Sequence, residues 1–118
     1  MKLTILLILT LTTYAEYIFQ HRLGEYIRFK FIEIDKVAVS VNCKKRKTCD
    51  ALNKWKKIKV KKRKWPSGGI NPATFFCEQS GGRARTFYYK NKDEVSICEY
   101  SDKSYLKTWT AIKQFSKR

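Results

Sequence analysis

Asn71-Pro-Ala-Thr-Phe-Phe-Cys77-Glu-Gln-Ser-Gly-Gly82 opens the stretch whose punctuation decides the fold. Asn71 has the side chain of a helix N-cap, and Pro72 suits the first helical position because its missing N–H is unneeded there. The spacing predicts a short helix through Ala73–Ser80, ended by Gly81 in the left-handed conformation. Arg83–Lys90, with Thr86-Phe-Tyr-Tyr89, reads as a strand, and Asn91-Lys-Asp-Glu94 as a turn. Val95–Tyr100 alternates as a second strand. After a turn at 101–104, Ser104 is placed to cap a last helix in which Leu106, Trp109, Ile112 and Phe115 share a face. Trp109 is expected to fill the core against the hairpin. The order is α-β-β-α.

Upstream, Pro66-Ser-Gly-Gly69 reads as a boundary. Before it, Ile27, Phe29 and Phe31 alternate at period two, as do Val37, Val39 and Val41, with a break near 34–36. This predicts a strand pair or one long bent strand. Thr48 is placed to cap a short helix reaching Lys57, and Ile58 and Val60 suggest that the chain continues as a strand. The expected fold class is therefore α+β: a disulfide-stapled C-terminal α-β-β-α module (67–118) preceded by a basic β-rich module (16–66).

Residues 1–15 read as a signal peptide: one lysine, a short Leu/Ile/Thr run, and small residues at Thr13 and Ala15. The run is too short to cross about 30 Å of hydrocarbon. Cleavage after Ala15 and export to the periplasm or the extracellular space are expected. In an exported chain of this size, four cysteines imply disulfides, with three connectivities open. The C-x5-C and C-x20-C spacings lack the paired C-x2-C knuckles of zinc ribbons, so neither a metal nor any other cofactor is expected.

The formal net charge of the 118 residues is +16, and it is not evenly spread. Residues 43–65 hold twelve lysines or arginines against one aspartate. Such a run attracts polyanions. In an exported protein the accessible partners are anionic envelope polymers and anionic membrane surfaces, with nucleic acid less favoured. Lys57, Lys59, Lys61, Lys62, Arg63 and Lys64 are the expected contacts, displayed in a row by a strand, with Trp55 and Trp65 free to stack or to pack.

No constellation points to catalysis. His21 is the only histidine, near the expected new N-terminus. Asp93, Glu94, Glu99 and Asp102 fall in turns or on a hairpin with no visible cleft. Gly68-Gly69 and Gly81-Gly82 fit no phosphate-binding fingerprint. Phe76, Phe87, Tyr88 and Tyr89 form a stacking platform or, more simply, core and cross-strand pairs. The reading is a non-enzymatic binding protein; a membrane-active protein and a hydrolase are the alternatives. Residues 54–65 carry no single apolar helical stripe, which disfavours membrane disruption.

The run from Asn71 also resembles a family of small exported bacterial domains that carries a hemolysin label (domain of unknown function 333). Its pattern is Asn-Pro-Ala, an aromatic before a cysteine, Gly-Gly, a strand pair with a cysteine, an aromatic, an Asp-centred turn and a tryptophan in a closing helix. Residues 70–114 supply Cys77, Gly82, Cys98, Tyr100, Asp102 and Trp109 at the matching places. Lys103 stands where the family usually has glycine. Two further family cysteines, one at the place of Leu106, are both missing here. The resemblance thus implies that those two pair with each other, leaving Cys77 with Cys98, and Cys43 with Cys49 as the second bridge. The label implies no particular chemistry.

Overall fold

The structure, a computed structural model, describes residues 15–117. The expected signal peptide thus lies outside the described residues, except for Ala15. Six antiparallel strands close into a barrel in the order β1-β2-β3-β6-β5-β4. Strand β1 is Ala15–Arg22, β2 Glu25–Ile34 and β3 Val37–Ser40. Strand β4 is Arg83–Tyr88, β5 Glu94–Glu99 and β6 Tyr105–Lys107.

Two-residue turns join the first three strands. Leu23 and Gly24 (φ 52° and 84°) connect β1 to β2, and Asp35 and Lys36 (φ 52° and 70°) connect β2 to β3. Positive φ at both central residues matches the right-handed twist of the flanking strands. The barrel closes through two short seams, Phe19 opposite Tyr88 and Val39 opposite Leu106.

Alternation along the strands builds two cores. Ile18, Phe31, Phe87, Val95, Ile97 and Tyr105 fill the barrel interior. Register places Ile32, Val39, Leu106, Cys98 and Ala84 side by side on the outer surface. That outer layer is covered by helices α2 (Pro72–Gln79) and α3 (Thr108–Phe115), and by the segment that carries α1 (Asp50–Asn53). Both faces of β3, β5 and β6 are therefore buried, whereas among the described residues nothing covers the outer face of β1 and half of β2.

The second helix matches its sequence signals. The Asn71 side chain accepts the Ala73 N–H at 2.8 Å, Pro72 is the first residue, and Gly81 has φ 84°. Gly82 lies where a Cβ would overlap Cys98 Sγ and come within 3.2 Å of Cys77 Sγ. The disulfides pair Cys77 with Cys98 and Cys43 with Cys49, with Cα separations of 5.5 and 5.4 Å.

The α+β expectation of a C-terminal α-β-β-α module behind a basic β-rich module is corrected to a closed β-barrel dressed with short helices. Strands from before and after Pro66–Gly69 share one sheet and one outer core. Three segments differ from their sequence expectation. Residues 15–22, where the sequence predicts no strand, form β1, and residues 105–107, expected at the start of the last helix, form β6. Leu106 points from β6 into the outer core, and α3 begins only at Thr108. The strand expected from Ile58 is absent: a 3-10 turn at Lys54–Lys57 gives way to an irregular segment and a second 3-10 turn at Lys62–Lys64.

Candidate polyanion-binding surface

Residues 58–65 form a basic loop clamped at both ends. Ile58 is buried in the outer core. Trp65 stacks on Phe115 with ring centroids 5.9 Å apart and packs against Phe75 and Phe76 at 5.6 Å each. Its indole N–H donates to the Val60 carbonyl at 2.8 Å, so the clamp also closes the loop on itself. Within the loop, Lys64 N–H donates to Lys61 O at 2.8 Å and Trp65 N–H to Lys62 O at 3.0 Å. The tryptophans thus divide their roles: Trp55 is core, and Trp65 is the half-buried anchor.

Lys57, Lys59, Lys61, Lys62, Arg63 and Lys64 are all exposed, and among the described residues none has an ion-pair partner. The structure brings them together as a loop and a 3-10 turn, not as the expected row on a strand. A groove of about 550 Å³ separates the loop from the end of α3, lined by Ile58, Lys59, Lys61, Lys62, Arg63, Phe115 and Ser116. Among the described residues no carboxylate side chain lines it. Phe115 and Ser116 were not legible as its far wall, because the Trp65–Phe115 stack that brings them near the loop is a long-range contact.

The base of this surface is fixed by a turn far away in sequence. Asp102 Oδ2 accepts the Asp50 N–H at 2.9 Å, and the Ser104 hydroxyl accepts the Ala51 N–H at 3.0 Å. The β5–β6 turn therefore caps α1 from outside. Asp102 also accepts the Ser104 N–H at 2.9 Å and pairs with Arg46 at 3.2 Å, while Arg46 donates to the Asp102 carbonyl at 2.7 Å. Burial by itself would raise the Asp102 carboxyl. The hydrogen bonds from Ser104 and Asp50 and the Arg46 charge outweigh it and hold the group below the ordinary carboxylate range. Thr48 does not cap α1, whose N-cap position is Cys49, and Ser104 does not cap the last helix, whose N-cap position is Lys107. Trp109 is 47 % exposed, which corrects the expectation that it fills the core. Its neighbours Ala111, Ile112 and Phe115 form the buried side of α3 instead.

The residues weighed for catalysis are dispersed. His21 is exposed on β1, 5.2 Å from the Tyr26 ring. Asp93 accepts the Asn91 side-chain N–H at 3.1 Å within an exposed turn. Glu99 pairs with Arg85 at 2.9 Å and accepts the Tyr105 hydroxyl at 3.4 Å. Phe76 and Phe87 are core, while Tyr88 and Tyr89 are half-buried. Tyr100 is sealed beside the Cys77–Cys98 bridge and shares a 2.7 Å hydrogen bond with the Ser80 hydroxyl; burial pushes its phenol up to about 12. Among the described residues no cluster of three His, Cys, Asp or Glu side chains is placed to hold a metal ion. No helix among them is long and apolar enough to cross a membrane.

Comparison of the chain with family models, with curated proteins and with solved structures finds no match.

Proposed function

We propose that the protein is an exported, non-enzymatic binding protein that adheres to anionic envelope polymers or anionic lipid surfaces through its basic loop. One observation carries this reading: six exposed cations from Lys57 to Lys64 have no ion-pair partner among the described residues, on a segment held by buried Ile58 at one end and half-buried Trp65 at the other. Cations that serve only solubility need no such clamp. A fixed loop keeps like charges close together, which costs stability through self-repulsion and is offset when a polyanion binds. Near an anionic membrane each such residue contributes about 1 kcal/mol, so several together suffice for adhesion.

Two disulfides, both in the outer core, fit an oxidising location, where envelope polymers and lipid headgroups are the abundant anions. The hemolysin-labelled family that residues 70–114 resemble is likewise exported. The test is retention on immobilised heparin, on lipopolysaccharide and on anionic vesicles. Wild type is compared with a variant carrying Gln at Lys57, Lys59, Lys61, Lys62, Arg63 and Lys64. Adhesion without vesicle leakage, lost in the variant, is expected. Equal retention of the two proteins would return the loop to the status of a solvated face.

A further inference from the structure

We infer a second binding face on the opposite side of the barrel, formed by the outward residues of β1 and β2, which takes the ring units and acidic groups of an anionic polysaccharide. The helices and the basic loop cover the β3–β6–β5 side of the barrel, and among the described residues none covers the outer face of the β1–β2 ribbon in the same way. Antiparallel register puts Phe19 opposite Arg28, Tyr17 opposite Lys30 and His21 opposite Tyr26 on that face. Aromatic and cationic side chains are thus interleaved, and no carboxylate occupies an outward position of the ribbon from residue 15 to residue 30. Tyr17 is 46 % and Tyr26 48 % exposed.

Two adjoining hollows follow the face. One, of about 210 Å³, is lined by Phe19, Tyr26, Tyr89, Lys90 and Lys92. The other, of about 410 Å³, is lined by Tyr17, Phe19, Arg28 and Lys90. Phe19 and Lys90 belong to both, so the hollows are neighbouring subsites along one track.

The geometry selects among polyanions. Arg28 lies over the Tyr17 ring at 4.7 Å and Lys92 over the Tyr26 ring at 5.8 Å. Tyr26 meets Tyr88 edge-on, with centroids 6.0 Å apart. A run of open, parallel ring faces, which successive nucleobases need for stacking, is therefore not what the ribbon offers. It offers tilted ring edges and phenol hydroxyls beside cations that the rings hold in place. Sugar rings with hydroxyl, carboxylate or sulfate substituents match that mixture of apolar edge, hydroxyl and charge.

This site is independent of the basic loop, so it is tested in the variant with all six loop cations changed to Gln. The probes are a sulfated heparin hexasaccharide, inorganic polyphosphate (charge without rings) and an eight-residue oligothymidylate (bases in place of sugars). The hexasaccharide is expected to bind most tightly and to shift the backbone amide signals of β1 and β2 in NMR spectra. Adding Tyr17→Ala and Tyr26→Ala should weaken it by about tenfold, the loss of roughly one good aromatic contact. Arg28→Gln with Lys92→Gln should weaken it without removing a ring. These side chains are exposed, and unchanged disulfide pairing and amide spectra confirm the fold of each variant. Polyphosphate binding as tight as that of the hexasaccharide, tighter binding of the oligothymidylate, or hexasaccharide affinity unaffected by both variants would each overturn the inference.

Discussion

Replacing Asp102 with alanine removes the group that joins the β5–β6 turn to α1 and to Arg46. The carboxylate accepts the Asp50 N–H and the Ser104 N–H, both at 2.9 Å, and faces Arg46 at 3.2 Å. Losing a helix cap costs about 1 kcal/mol. Each further hydrogen bond to a charged acceptor contributes about 1.5–3 kcal/mol, whereas the partly exposed Arg46 pair adds at most about 1. The expected total is about 3 kcal/mol. For a domain of this size that lowers the midpoint of thermal unfolding by about 15 °C.

The pH dependence supplies an independent sign. The folded-state pKa of Asp102 is lowered, so its stabilisation is fully present above the ordinary carboxylate pKa and is lost as pH falls through the folded value. The gap between wild type and Asp102→Ala should be constant near neutrality and close below about pH 4. Thermal unfolding followed by circular dichroism from pH 7 to pH 2 measures it. A gap of less than about 1 kcal/mol, or one that does not change with pH, would refute the role given to this carboxylate.

Gly82→Ala places a methyl group against the Cys77–Cys98 bridge and should cost about 1–3 kcal/mol through overpacking, read by urea denaturation. Trp109→Ala should cost less than about 1 kcal/mol, because the ring is half exposed, whereas Leu106→Ala should cost about 2–5 kcal/mol in the same assay. Replacing Cys77 and Cys98 together with alanine should destabilise by about 3 kcal/mol in the chain-entropy account, with Cys43–Cys49 still recovered intact by peptide mapping.

What could be read from the sequence was local. Asn71, Pro72 and Gly81 are matched to backbone positions within one helix, so their signals survive whatever the helix packs against. The hairpin at 83–99 and the break between β2 and β3 were legible for the same reason. Strand β1 was hidden because a barrel strand needs only one inward face. Ile18 alone is fully buried there, and the polar residues around it belong to the solvent side and to the open end. Strand β6 has three residues, and the spacing of Leu106, Trp109 and Ile112 fits a helix as well as a strand followed by a helix. The basic run fails as a strand because a closed barrel has no free edge for it to join. Its lysines were identifiable by charge alone. The clamp that displays them, Trp65 on Phe115, joins residues fifty apart and has no sequence signature.

The most direct test of the basic loop is the salt dependence of binding to a polyanion of known charge density. Duplex DNA serves as that reference polymer, and affinity is measured across a range of sodium chloride for wild type and for the six-residue Gln variant. Each phosphate neutralised by the loop releases a condensed cation, so log affinity falls with log salt in proportion to the contacts made. With three to six loop cations engaged, the wild-type slope should be steeper than that of the variant by about 3 to 5. Identical slopes would mean that the loop touches no polyanion and that the charge of residues 57–64 has no part in binding.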